Sequence, residues 1–231
     1  MSFKENAIVL AYRAMDSTRR LVAKVLSPLD EAWEPDFSHL DPDPLAQFKK
    51  WFTTYKRFGI FPPDAVCLAT ASPVTRPLAR MVLFKKAGEK GITFFTNYQS
   101  RKGQALARNP NACLLFYWQP LERQVRVEGA IEKLTPAESD AYWVTRLRES
   151  QIGAWASHQS QVISGKDELD QRDQAFWQKF EGAPVPRPPY WGGFRLKPKV
   201  WEFWQARAFR LHDRAQYVKK KGEWVIEYLA P

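Results

Sequence analysis

Four short stretches of this 231-residue chain hold side chains whose types and spacing could do chemistry, and each bears on the handling of anions. Ser100-Arg101-Lys102-Gly103 follows the strand-like run Thr93–Asn97. Ser100 is placed to cap a helix running to Asn109-Pro110, with two cations in its first turn. A helix N-terminus already offers unpaired N–H groups and a partial positive charge to a phosphate. The same four residues would also serve as an ordinary solvated helix start. In Arg80-Met81-Val82-Leu83-Phe84-Lys85, strand alternation puts Arg80, Val82 and Phe84 on one side, and Lys85 emerges from the other. Arg80 is then either a solvent-side edge residue or an anion ligand. From Glu122 to Gly129, Gln124, Arg126 and Glu128 share one face, with Val125 and Val127 on the other. That face is either the wet side of an antiparallel sheet or, at Gln124, an amide that hydrogen-bonds the edge of a heterocycle. In Arg210-Leu211-His212-Asp213-Arg214, a strand would project Arg210, His212 and Arg214 from one face. Such groups repel one another unless an anion sits between them, although a histidine on a polar strand face is commonly just solvated.

Other chemistries find less support. His158 has no metal-ligand spacing with His39 or His212, so no metal site is expected. The chain has no GxGxxG, no P-loop and no GxSxG elbow, which weakens dinucleotide, nucleotide triphosphate and serine-hydrolase readings.

The elements that must hold these residues are legible from periodicity. Residues 5–26 carry apolar positions at helical spacing, and a Pro- and Asp-rich linker follows to Pro44. A second helix is expected over about 44–58, with Asp43 as its N-cap, Pro44 in its first turn and Gly59 as its stop. Strands are expected at 66–72, 78–85, 92–97, 112–118 and 124–134, then helices near 136–146, 151–156 and 167–180. A Pro-rich loop at 184–189 leads to three closing strands near 192–196, 200–217 and 223–229. Few strands alternate with helices, which favours a small mixed barrel over a βαβ fold.

Composition sets outer bounds. Hydrophobic residues make up 45%, enough for a sizeable core, and the ten Trp and fifteen Phe are read mainly as packing. The net charge of +10 attracts anions. Only Lys219-Lys220-Lys221 forms a basic run, read as a solvated turn, so small phosphates are favoured over a nucleic-acid track. Cys67 and Cys113 read as buried thiols of a reducing compartment. No signal peptide and no membrane-spanning run is read, which points to a soluble, cytoplasmic protein.

Taken in order, DPLAQF, RMVLFK, FFTNYQSRKG, LLFYWQPLERQVRVEG, SQIGAWASHQS, WGGF, EFWQARAFRLHDR and the final LAP resemble the pyridoxine/pyridoxamine 5'-phosphate oxidase family over roughly residues 41–231. The resemblance implies a mainly β fold with added helices: a split β-barrel with a six-stranded antiparallel core, binding FMN in a cleft between the subunits of a homodimer. Residues 1–40 would form a helical arm and linker, and 41–231 the oxidase domain. Matching motif positions imply that Arg80, Lys85, Arg101 and Lys102 hold the FMN phosphate and ribityl chain. The stretch Met81, Val82, Leu83, Phe84 and the pair Phe95, Thr96 would line the cofactor. Gln124, Gln159 and Ser160 would contact the ring or its chain, and Trp204 and Arg214 would complete the flavin site. Tyr142, Arg146 and Ser150 would hold the substrate phosphate, with Lys85 nearby, while Arg210 and His212 would lie against the pyridine ring. Tyr142 and Arg146, spaced i and i+4, would share a face of the 136–146 helix.

The implied reaction moves a hydride from substrate C4' to flavin N5, and dioxygen then reoxidises the flavin to give hydrogen peroxide; no nucleic acid or membrane partner is implied. Some positions depart from the family pattern. Leu147 stands where a Pro usually follows the substrate Arg, Ala206 where a Gly follows FWQ, Trp201 where an aliphatic residue or Phe is more usual, and Phe95 where a Tyr is common. The segment before the DPLAQF block also differs, with Ala11-Tyr12-Arg13 lying well upstream. Two rival readings remain: an FMN oxidase of another aromatic ring, of the phenazine-pathway type, and a non-catalytic flavin-binding protein.

Overall fold

A computed structural model describes residues 37–58, 63–71 and 76–231. The helix expected over 5–26 and the glycine stop at 59 lie outside the described residues. Helix α1, Pro44–Phe58, begins as the sequence predicts. The Asp43 carboxylate accepts from the backbone N–H groups of Leu45 and Ala46 at 3.1 and 3.2 Å. Pro44, which has no N–H to satisfy, occupies the first helical position.

Eight strands follow the alternation of the sequence closely: β1 Ala65–Ala71, β2 Pro77–Gly88, β3 Gly91–Asn97, β4 Asn111–Trp118, β5 Arg123–Lys133, β6 Trp191–Gln205, β7 Asp213–Lys220 and β8 Glu223–Tyr228. Among the described residues four more helices follow: α2 Arg101–Arg108, α3 Pro136–Trp143, α4 Arg148–Ala156 and α5 Lys166–Lys179. The strand order is β3-β2-β1-β4-β5-β6-β7-β8, and β3 also pairs with β6 from Ile92↔Leu196 to Asn97↔Trp191. That pairing closes six strands into the expected barrel and leaves β7 and β8 as an extension. Among the described residues no helix is long and apolar enough to cross a membrane.

The chain divides into two compact units. The first, here the pocket unit, comprises residues 64–114 and 128–198. Its core includes Val66, Leu68, Ile92, Phe94, Leu114, Phe194 and Leu196. A second cluster of Trp143, Ile152, Phe180, Val185 and Trp191 packs partly under Phe95 and Tyr142. The other unit, here the terminal unit, joins the described residues up to 63 with 115–127 and 199–231. There α1 lays Phe48, Trp51 and Tyr55 against Phe116, Trp118, Trp201 and Phe203, with ring centroids 4.9–5.9 Å apart. Trp201, unusual by the family pattern, therefore serves the core.

Three expectations need correction. Strand β6 continues through Pro198, and the strand read over 200–217 is broken: after Gln205 the chain turns through a 3-10 segment, Ala208–Arg210, before β7. Phe209 and Arg210 are left-handed, with φ of 58° and 64°, a geometry no strand accommodates. An ion pair between Arg207 and Asp213 pinches the loop. Helix α3 stops at Trp143, and Thr145 and Arg146 donate i+3 backbone bonds to Tyr142 and Trp143 at 3.1 Å each, so Arg146 lies in a turn. Cys67 and Cys113 are only partly buried, because each sits on the outer face of its strand.

Candidate active site

A cavity of about 440 Å³ in the pocket unit is lined by Met81, Val82, Leu83 and Lys85 of β2, Phe95 and Thr96 of β3, Lys102 of α2, Gln159, and Tyr142 to Ser150 at the α3–α4 junction. Eleven of the residues named from the sequence thus line one space: Met81, Val82, Leu83, Lys85, Phe95, Thr96, Lys102, Tyr142, Arg146, Ser150 and Gln159. Met81 and Leu83 of this lining are 62% and 51% exposed, so the cavity presents apolar as well as cationic surface.

One end of the cavity is cationic. Ser100 caps α2: its hydroxyl accepts from Gly103 N at 3.3 Å and donates to the Asn97 carbonyl at 2.7 Å. Gly103 is required here, since a Cβ would meet the Tyr98 carbonyl oxygen at 2.2 Å. The helix start therefore sits tightly against the end of β3. Lys102 donates to Gln159 Oε1 at 2.6 Å and Thr96 Oγ1 at 3.0 Å. Burial, reinforced by the Arg80 charge, pulls its ammonium down to about 8. Arg80 donates to the Leu68 carbonyl at 3.0 Å and Thr70 Oγ1 at 2.9 Å; burial lowers its pKa and the nearby Arg101 charge lowers it further. These cations raise the local potential together, a setting that an anion would relieve. Arg80 and Arg101 stand behind the lining rather than in it, Phe84 faces the core, and Ser160 is exposed with φ 72°.

Another part of the lining is built from rings. Phe95 stacks on Tyr142 with centroids 3.9 Å apart and on Trp191 at 5.5 Å. The Arg146 guanidinium lies 4.6 Å above Trp191, and its Nη2 donates to the Ser150 carbonyl at 2.7 Å. Its buried Nε has no hydrogen-bond partner, and burial lowers the pKa of the group. A buried donor without an acceptor is costly. Lys85 lines the space while paired to Asp64 at 2.7 Å. Sequence reasoning missed Thr145 and Leu147, which the early end of α3 turns into the lining, and Trp191 beneath Arg146. The WGGF block contained Trp191, but no periodicity marked its role.

Gln124, Trp204, Arg210, His212 and Arg214 belong to the terminal unit. Trp204 and Arg214 are cross-strand partners. The His212 ring packs 4.7 Å from Trp204, and its Nδ1 accepts from Arg207 N at 3.1 Å, which leaves Nε2 to carry the proton of the neutral ring. Arg123, also missed, is 1% exposed, lies 4.9 Å from the Trp51 ring and donates to Gln205 at 2.9 Å; burial pulls it down to about 10. Among the described residues no group of three or more His, Cys, Asp or Glu could hold a metal ion.

Comparison with known proteins adds a second line of argument. A family model for pyridoxamine 5'-phosphate oxidase matches residues 56–180, and one for the pyridoxine 5'-phosphate oxidase C-terminal dimerisation region matches 191–231. The chain is 52% identical over 195 residues to a pyridoxine/pyridoxamine 5'-phosphate oxidase of Cupriavidus taiwanensis, covering 84% of this chain and 92% of the relative. It is 51% identical over 191 residues to the enzyme of the same name from Rubrobacter xylanophilus, covering 83% and 88%. Among solved structures, Burkholderia lata PhzG in complex with tetrahydrophenazine-1-carboxylic acid superposes with a TM-score of 0.81 at 30% identity, covering 86% and 97%. A pyridoxamine 5'-phosphate oxidase-related, FMN-binding protein of Nostoc punctiforme shares the fold, with a TM-score of 0.65 at 19% identity, covering 83% and 100%.

Proposed function

Since this chain belongs to the pyridoxine/pyridoxamine 5'-phosphate oxidase family, we propose that it is an FMN-dependent oxidase that converts pyridoxine 5'-phosphate or pyridoxamine 5'-phosphate to pyridoxal 5'-phosphate. The observation that carries this reading is that one cavity brings together two partly buried cations, Lys102 and Arg146, the latter with an unpartnered Nε. A flavin phosphate and a substrate phosphate need two such groups, and the exposed Met81 and Leu83 of the lining suit contact with a flat ring.

The donor set fits FMN. Lys102, with Arg80 and Arg101 behind it at the capped start of α2, would hold the phosphate, and Thr96 and Gln159 offer polar atoms to the ribityl chain or the ring. Bound FMN would supply the acceptor for the substrate hydride and the route by which electrons reach dioxygen, giving hydrogen peroxide. This chain's residues bind and orient. Arg146, held flat on Trp191, with Tyr142 and Ser150 would fix the substrate phosphate. Trp204 and Arg214 would complete the flavin site, with Gln124 donating to or accepting from the ring edge. Arg210 and His212 would close on the pyridine ring, with the His212 Nε2 proton directed by the bond at Nδ1. Homodimer formation supplies the second wall of the cleft in this reading, in line with the dimerisation region matched at 191–231.

A second reading, oxidation of another aromatic ring, draws on the likeness to PhzG. Anaerobic flavin reduction separates the two. With the FMN-loaded protein, both vitamin B6 phosphates are expected to reduce the flavin in a single turnover, and unphosphorylated pyridoxine to do so far less efficiently. Equal efficiency with and without the phosphate would overturn the assignment.

A further inference from the structure

We propose that Glu202 is a positioning residue for flavin binding: a buried carboxylate that orients Arg214 and is itself locked by Arg126. The proposal rests on the reading of Arg214 as a flavin ligand. Glu202 is 3% exposed and lies on β6, between β5, which carries Arg126, and β7, which carries Arg214. Trp204 and Arg214 are directly opposite in register, so Glu202, two residues back on the same face of β6, is the diagonal neighbour of Arg214. Its Oε1 accepts from both Arg214 Nε at 3.1 Å and Arg214 Nη2 at 2.9 Å, two charge-assisted bonds converging on one oxygen. Its Oε2 takes an ion pair from Arg126 Nη2. Arg214 Nη1 donates to the Ala230 carbonyl at 2.8 Å.

These bonds specify one orientation. Nε, Nη2 and Nη1 of Arg214 each donate once within the chain, which leaves one N–H on each terminal nitrogen for a ligand. Two arginines, Arg126 and Arg214, thus share the one buried carboxylate, each on its own oxygen. A long guanidinium side chain without such a lock would order itself only on binding, at a cost in affinity. Glu202 lies on the face of β6 opposite to its buried neighbours Trp201 and Phe203, the face that carries Trp204.

FMN affinity of the apoprotein, followed by quenching of flavin fluorescence, tests this together with the melting temperature of the apoprotein. Glu202→Gln keeps the shape and removes the charge, and is expected to weaken FMN about 10-fold. Glu202→Asp, which keeps the charge on a shorter arm, is expected to lose only part of this. Arg214→Met is expected to weaken FMN at least as much, and the double variant Glu202→Gln/Arg214→Met to bind no more weakly than Arg214→Met alone, since the carboxylate acts through that arginine. Wild-type FMN affinity in Glu202→Gln and Glu202→Asp, even with a lowered melting temperature, would make Glu202 merely structural and overturn the proposal. If Glu202→Gln does not fold, unchanged affinity in Glu202→Asp overturns it alone. Wild-type affinity in Arg214→Met would instead overturn the flavin role of Arg214 itself.

Discussion

Lys102 is the residue whose chemistry should be easiest to see in solution. An amine with its pKa pulled from 10.5 to about 8 loses its proton in the folded chain over a range where the unfolded chain keeps it. A bound phosphate needs the ammonium form. FMN affinity should therefore hold steady below about pH 7 and fall as pH rises through about 8, by at most about tenfold per unit. Binding above that pH should take up a proton. Fluorescence titrations across this range check the sign, and Lys102→Met should bind more weakly with a flat profile. A flat profile in the wild-type chain would move the phosphate site elsewhere. Arg210 and His212 make a contrasting case. Both lie in the 206–212 loop, in the terminal unit. Arg210→Ala and His212→Ala should keep the flavin and lose about 30- to 1000-fold in catalytic efficiency, the usual worth of a positioned polar contact at a reacting ring. Normal anaerobic flavin reduction in both variants would remove them from the active site.

At the scale of elements, the start of α2 is the most exacting fit. Gly103 lets the helix press onto the Tyr98 backbone, and Gly103→Ala must push the two apart. A loss of about 1–3 kcal/mol is expected, read as a lower melting temperature, with weaker FMN binding because Lys102 moves with the helix. Ordinary stability with unchanged FMN affinity would mean that the helix start is not the cofactor's seat. This capped helix, like α1 and six of the eight strands, was legible because its signals are local: Ser100 before the cations, Asp43 before Pro44, and alternation such as Arg123 to Lys133. The 206–212 turn was hidden because its two left-handed positions are Phe209 and Arg210, types that give no turn signal. The end of α3 was hidden for a similar reason, since Val144-Thr145-Arg146 contains no breaker and only the tertiary site draws Arg146 out of the helix. The i, i+4 argument for Tyr142 and Arg146 thus named the right pair on the wrong geometry. Arg123 escaped notice because a cation in a buried strand position is paid for by distant partners, Trp51 and Gln205.

At the scale of the whole molecule, the +10 charge is spread over the chain, and the described cations that meet at the pocket are few. Association follows from the dimerisation region matched over 191–231, together with exposed apolar side chains at Tyr117, Phe209 and Leu211. Light scattering of the flavin-loaded protein should give twice the chain mass, with one FMN per chain. A stable monomer saturated with FMN would sink the expectation.

The two units are interleaved along the chain, and this has a consequence for how the protein is made. Every residue of the pocket unit lies at or before position 198, whereas the terminal unit needs 199–231. A chain growing from its N-terminus can therefore expose every residue of the cation-lined cavity while Trp204, Arg210, His212 and Arg214 are still inside the ribosome. Ribosome-bound chains halted once residue 198 has cleared the exit tunnel should already protect β1 to β3 and α2 from protease. The stretch that emerges after it carries Glu202 and both of the residues proposed for the pyridine ring.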